Sequence, residues 1–147
     1  MTEARVTVAG EVAGAIDRGL LVLLGVGPSD TDETAAKMAG KIAGLRLFED
    51  QSGRMNLAAA DIGGSILAIS QFTLYGDVRR GRRPSFAGAA APEIAEALYD
   101  AFCAAIEREG LACERGEFGA QMEVELVNDG PVTLIIDSDD LERPRRT

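Results

Sequence analysis

Two short segments of the sequence hold residues suited to chemistry, and each adjoins an apolar, strand-like run. The first is Ser70-Gln71-Phe72-Thr73, and the second covers residues 128–133 with Gly130-Pro131 at its centre. In the first segment, backbone N–H groups could hold a developing oxyanion, and the Thr73 hydroxyl could orient a substrate or a water molecule. The alternative is a plain strand end, in which the same polar groups bond to the neighbouring backbone.

The second segment predicts a sharp bend, with Asn128 before it and Thr133 after it. Proline removes a backbone donor where the next strand would begin, and an X-Pro bond is cis in roughly 5–6% of folded cases. A cis Gly130-Pro131 bond would turn neighbouring carbonyls to the same side, and such a pair of acceptors could bind an ammonium group. A simple hairpin turn is the alternative.

Basic residues are clustered although the chain is acidic, with a formal net charge of −9. Four of the fifteen basic residues, namely Arg79, Arg80, Arg82 and Arg83, flank Gly81. The guanidinium fork suits phosphate, so the cluster is compatible with contacts to a nucleic-acid backbone. Binding through such a local patch should be weak and strongly dependent on salt. The alternative is a solvated surface loop.

The composition excludes several kinds of catalytic site. The chain contains no histidine, so it has no Ser-His-Asp or Cys-His nucleophile system and no His-ligated zinc site. Ser70 therefore lacks its usual base and is not expected to act as a nucleophile. Cys103 and Cys113 have no metal-binding spacing, and we expect two reduced structural thiols. The sequence predicts neither a metal nor a cofactor.

Length and hydropathy indicate a globular domain. The 147 residues suit one domain with a substantial core. No apolar run approaches the roughly 20 residues that span a bilayer, and the N-terminal residues lack the pattern of a signal peptide. The sequence therefore predicts a cytoplasmic protein without membrane contact.

Hydrophobic periodicity predicts the elements that must position these segments. Strands are predicted over residues 5–8, 11–16, 20–26, 65–75, 122–126 and 132–136, the last of them buried. One helix is predicted after a cap at Ser29 or Asp30, and a second from Pro92 to about Gly110, with Ile94 in its apolar stripe.

These elements predict one α+β domain, mostly antiparallel, with two main helices. About six or seven strands would curl into a barrel-like sheet. Residues 1–138 would form the domain, and residues 139–147 a charged C-terminal tail for which disorder is one expectation.

The motifs also resemble those of D-aminoacyl-tRNA deacylases, and the similarity runs from about Ala4 to Ser138. It rests on the apolar run over residues 19–26 and on three further segments, residues 70–77, 81–86 and 128–133. Long motifs in the order and spacing of this family make the resemblance specific.

The resemblance implies a homodimer that hydrolyses the ester between a D-amino acid and tRNA without a cofactor. A cis Gly130-Pro131, flanked by Asn128 and Thr133, would reach from one subunit into the pocket of the other, where residues 70–73 form the facing wall. Substrates would be read through main-chain atoms, so that many D-amino acids, and achiral glycine, would be accepted. The terminal ribose 2′-OH could assist water, which fits a chain without histidine.

The N-terminus departs from the family pattern. Members of the family usually begin with about one further strand, whereas Met1 to Ala4 stand where that strand would end. Either the true start lies further upstream or the strand is missing, and a missing sheet element would expose an edge and weaken the dimer. One alternative function is therefore a non-catalytic dimeric RNA-binding module on the same fold. A third possibility treats the arginine cluster as mere surface and predicts no tRNA binding.

Overall fold

The computed structural model describes residues 1–142, which fold into layers of sheets and helices. The strands and α-helices, in chain order, are β1 (Glu3–Val8), β2 (Glu11–Ile16), β3 (Gly19–Leu24), α1 (Asp32–Gly44), β4 (Phe48–Glu49), β5 (Met55–Leu57), β6 (Ser65–Ser70), α2 (Pro92–Arg108), β7 (Cys113–Arg115), β8 (Glu123–Val127) and α3 (Ser138–Glu142). Two 3-10 turns, Ala59–Ile62 and Phe72–Tyr75, complete these elements.

Antiparallel pairing predominates, as predicted, and one sheet has the order β2-β1-β8. Residues Ala9 and Gly10 both have positive φ, at 49° and 82°, which gives the β1–β2 hairpin the backbone twist of tight hairpin turns. Along β1, the side chains alternate: Ala4 and Val6 are buried, while Arg5 points outward and pairs with Glu125 at 2.8 Å. The alternation in the sequence therefore predicts this strand correctly.

A second sheet, with the order β3-β6-β7, is parallel. The chain passes from β3 through α1 before it returns as β6, which is the long connection that parallel pairing needs. β6 is buried on both faces: Ile66 and Ala68 pack in the cluster that contains α2 residues, whereas Leu67 and Ile69 pack with residues of the antiparallel sheet. β6 therefore lies between the antiparallel sheet on one face and α2 on the other. The strands of the described residues do not close into a barrel.

The two long helices are present, but two details of the prediction are wrong. Thr31 caps α1 and exchanges hydrogen bonds with Thr34, because the Asp30 carboxylate is already engaged by the Gly27 N–H at 2.7 Å. In α2, Ile94 is 46% exposed, since the buried stripe passes through Ala95 instead. Both cysteines are free thiols, as predicted.

The C-terminal part departs most from the prediction. Residues 132–136 are not a strand: Leu134 is 55% and Ile135 97% exposed, and within residues 1–142 no backbone hydrogen bond pairs this segment with a strand. The strand predicted over residues 122–126 is present as the edge strand β8, but its Val124 and Leu126, opposite the buried Val6 and Ala4, are exposed. Residues Ser138–Glu142 form α3, and the rest of the predicted tail, residues 143–147, lies outside the described residues.

None of the helices in the described part of the chain is long and apolar enough to cross a bilayer.

Candidate functional site

The first polar segment lies at the carboxyl end of the parallel sheet. Leu24 of β3 is in register with Ser70, the last residue of β6, and the Gln71 N–H donates to the Leu24 carbonyl at 2.8 Å. The chain then leaves the sheet in the 3-10 turn Phe72–Tyr75. The predicted strand over residues 65–75 is therefore too long. This edge of a parallel sheet is where α/β proteins commonly bind ligands.

The polar side chains of this segment are arranged around Thr73. Gln71 Nε2 donates to Thr73 Oγ1 at 2.9 Å, and both groups are open to solvent. A hydroxyl that accepts through its oxygen keeps its own proton free for another acceptor. Ser70 is half-buried, and within residues 1–142 its hydroxyl makes no hydrogen bond, so no base activates it. Phe72 is 56% exposed and forms an apolar wall beside these groups.

The loop after β3 packs closely against the 3-10 turn at two glycines, Gly25 and Gly27. A Cβ on Gly25 would lie 3.1 Å from Tyr75 Cε2 and 3.2 Å from Leu74 Cβ, and one on Gly27 would lie 2.7 Å from the Tyr75 hydroxyl oxygen. Burial, followed by the nearby Asp30 carboxylate, raises the pKa of the Tyr75 hydroxyl, so this group stays protonated. Sequence reasoning missed the role of these residues, for which the spacing Gly-x-Gly before a helix was the available signal.

The arginine cluster is attached to the same turn. Asp77 and Ser85 exchange two backbone hydrogen bonds, of 2.7 and 2.9 Å, which close the base of the loop that carries the arginines. Next to this base, the Phe86 ring packs edge-on against Phe72 with 5.1 Å between the ring centroids. The loop and residues 70–73 thus form one continuous surface.

The four predicted arginines of this loop are not equivalent. Arg79 is held by Asp77, with Nη2 and Oδ2 2.7 Å apart, and the guanidinium lowers the pKa of the Asp77 carboxyl. Arg80, Arg82 and Arg83 are exposed and make no ion pair within residues 1–142. The free positive charge of the loop therefore resides on these three residues.

The second polar segment forms a tight, exposed turn. The Gly130–Pro131 peptide bond is cis, and Gly130 has a φ of 138°, which side-chain-bearing residues rarely adopt. Asn128 Nδ2 donates to Thr133 Oγ1 at 3.2 Å, which ties the two ends of the turn together. Among the described residues, no hydrogen bond, ion pair or ring contact joins this turn to residues 70–73. One chain therefore presents the two predicted halves of the site separately.

Nearly the whole chain, including both polar segments, is similar to known proteins. A family model described as D-Tyr-tRNA(Tyr) deacylase matches residues 1–137. A protein of Koribacter versatilis named D-aminoacyl-tRNA deacylase is 60% identical over 138 residues, which cover 94% of this chain and 93% of that protein. A solved structure of a c-Myc DNA unwinding element binding protein is 43% identical, with a TM-score of 0.82 over 90% of this chain and 91% of that chain. The structure of a probable eukaryotic D-amino acid tRNA deacylase, at 19% identity, shares the fold, with a TM-score of 0.74 over 85% of this chain and 88% of that chain.

Proposed function

The chain belongs to the D-Tyr-tRNA(Tyr) deacylase family, and we propose that it hydrolyses the ester bond between a D-amino acid and tRNA, releasing both. The match over residues 1–137 carries this proposal, because it includes both polar segments. The exposed Thr73 hydroxyl at the end of a buried strand supports it. Such hydrolysis removes D-amino acids from tRNA and so acts as chiral proofreading in translation.

The chemistry needs no strong nucleophile from the protein, because an aminoacyl ester is already activated and placement supplies much of the rate. Thr73, which accepts from Gln71, can donate a hydrogen bond that orients the substrate or a water molecule. The N–H groups of Phe72 and Thr73, where the chain leaves β6, are available to a developing oxyanion. The ribose 2′-OH next to the ester supplies the further hydroxyl that orients water in a chain without histidine.

The proposed active form is a homodimer in which each pocket uses both chains. The turn with Gly130-Pro131 projects from one subunit, and its carbonyls accept from the ammonium group of a substrate held on residues 70–73 of the other. Two observations support this arrangement. Within residues 1–142, no hydrogen bond, ion pair or ring contact joins the turn to residues 70–73 of its own chain, and exposed apolar side chains lie beside both segments, as at Leu74 and Leu134. A two-fold contact would cover these surfaces and create two equal pockets.

Recognition of the amino acid through main-chain groups leaves its side chain unread, so the proposed substrates include many D-aminoacyl-tRNAs and glycyl-tRNA. The proposed contacts to tRNA phosphates are Arg80, Arg82 and Arg83. Arg79 is instead paired with Asp77. Because charged tRNA is the substrate, the cytoplasm is the proposed place of action.

A deacylation assay with D-tyrosyl-, L-tyrosyl- and glycyl-tRNA, side by side, tests the proposal. The expected result is rapid hydrolysis of the D-tyrosyl and glycyl esters, while the L-tyrosyl ester is spared. Equal rates for the two enantiomers would contradict recognition through the proposed site. Binding of tRNA without any hydrolysis would instead favour the non-catalytic RNA-binding module.

A further inference from the structure

One buried hydrogen bond connects α2 to the strand that carries the proposed site. Tyr99 is 3% exposed, and its hydroxyl donates to the Ala68 carbonyl oxygen at 2.6 Å. Burial raises the pKa of the Tyr99 hydroxyl, so the group keeps the proton that it donates. Neither the hydrolysis proposed above nor the two polar segments account for this bond.

The position of Ala68 in the sheet gives the bond its importance. Ala68 lies two residues before Ser70, and its partner on the outer side is Arg115, where β7 ends. Beyond this point β6 pairs with β3 through Ile69, Ser70 and the bond from the Gln71 N–H to the Leu24 carbonyl, whereas among the described residues no backbone hydrogen bond joins it to the β7 side. On the β7 side, the last anchors of β6 are therefore the two donors to the Ala68 carbonyl, Tyr99 and the Gly116 N–H at 3.2 Å.

We infer that Tyr99 is a positioning residue for ester hydrolysis, which sets the direction in which β6 delivers residues 70–73 to the substrate. Tyr99 touches no reacting atom and acts through the Ala68 carbonyl. This inference rests on the proposed function, since it concerns the same site.

The variant Tyr99→Phe removes the hydroxyl and little else. The ring keeps its packing against Phe118, whose centroid lies 6.4 Å away, and the Ala68 carbonyl keeps its bond from Gly116. No buried polar group is left without a partner, so the variant is expected to fold. A matched control is Ile106→Val, which trims a fully buried α2 side chain that makes no hydrogen bond to β6.

The kinetic test compares the two variants on D-tyrosyl-tRNA at a temperature where both are folded. A displacement of about 1 Å can cost about 10²-fold in rate, so we expect the smaller shift in Tyr99→Phe to lower kcat about tenfold, with KM within about twofold of wild type. Ile106→Val should keep the wild-type kcat. A wild-type kcat in Tyr99→Phe, a change in KM alone, or equal losses in both variants would overturn the inference.

A second measurement judges Tyr99 without reference to activity. Amide hydrogen exchange of Gln71 reports the bond that holds the exit of β6 to β3, and this exchange should be several-fold faster in Tyr99→Phe than in wild type and in Ile106→Val. Unchanged exchange would overturn the role of Tyr99 even if kcat fell. If wild type does not hydrolyse D-tyrosyl-tRNA, the proposed function fails, while faster Gln71 exchange still supports the structural part of the inference.

Discussion

Replacement of Gly25 by alanine should displace the 3-10 turn that follows Gln71 and so disturb the proposed site. The added Cβ would lie 3.1 Å from Tyr75 Cε2 and 3.2 Å from Leu74 Cβ, whereas carbon atoms in contact prefer about 3.5–4.0 Å. Because Leu74 Cβ is fixed to the backbone of the 3-10 turn, the turn must move by several tenths of an ångström. Overpacking of this size costs about 1–3 kcal/mol of folding stability, and the displaced turn carries Thr73 with it.

The matched control is Gly44→Ala at the end of α1. A Cβ there meets nothing within 4 Å, and Gly44 does not have a positive φ. Alanine should therefore stabilise the helix by about 0.5–1 kcal/mol.

Thermal unfolding and D-tyrosyl-tRNA hydrolysis, measured on both variants, distinguish the effects of the two substitutions. We expect Gly25→Ala to lower Tm by several degrees and to reduce kcat at a temperature where it is folded. Gly44→Ala should raise Tm by about 1–4 °C at unchanged kcat. If Gly25→Ala keeps both the Tm and the kcat of wild type, the close packing of the β3 loop under the turn does not govern the site.

Two further predictions concern the polar segments and the arginine loop. Thr73→Ala should slow hydrolysis because the placed hydroxyl is removed, whereas Ser70→Ala should keep measurable activity; a trapped covalent acyl-Ser70 species in single-turnover experiments would contradict this mechanism. Replacement of Arg82 and Arg83 by alanine should weaken tRNA binding and reduce the slope of log affinity against log salt by roughly one unit for each phosphate that is no longer neutralised. An unchanged slope in a salt titration would place the loop away from the RNA.

The sequence correctly predicts those elements whose apolar side chains are buried by contacts within the chain itself. The alternation of β1 and the apolar stripe of α2 report burial against the same chain, and both are present except at Ile94, which is exposed. The predicted strand over residues 65–75 is too long because Phe72 and Leu74 continue its apolar pattern, although the backbone turns away after Ser70. Hydropathy records that these side chains are apolar, but not that the path of the chain has changed and leaves Phe72 and Leu74 56% and 55% exposed.

Residues 132–136 show a second limit of prediction from hydropathy. Their apolar pattern predicts a buried strand, but Leu134 and Ile135 are exposed in a single chain. An apolar run favours burial but does not indicate whether the same chain or, as in the proposed dimer, a second chain would cover it. Likewise, the bond from Tyr99 to Ala68 joins residues 31 apart in sequence, and no local pattern announces such a bond.

Subunit mixing tests the central claim, a hydrolytic site built from residues 70–73 of one chain and the Gly130-Pro131 turn of another. Thr73→Arg blocks the wall of the pocket in its own chain, and Gly130→Arg blocks the turn donated to the partner, so each homodimer should be inactive. In the mixed dimer, both substitutions fall in one pocket and the other pocket is intact.

Mixing the two inactive homodimers under conditions of subunit exchange should therefore restore up to about half of the wild-type activity per mixed dimer, by this symmetry. The measurement is D-tyrosyl-tRNA hydrolysis, with exchange verified by mass spectrometry of the dimers. No recovery of activity in verified mixed dimers, or full activity in a stable monomer, would contradict the shared site.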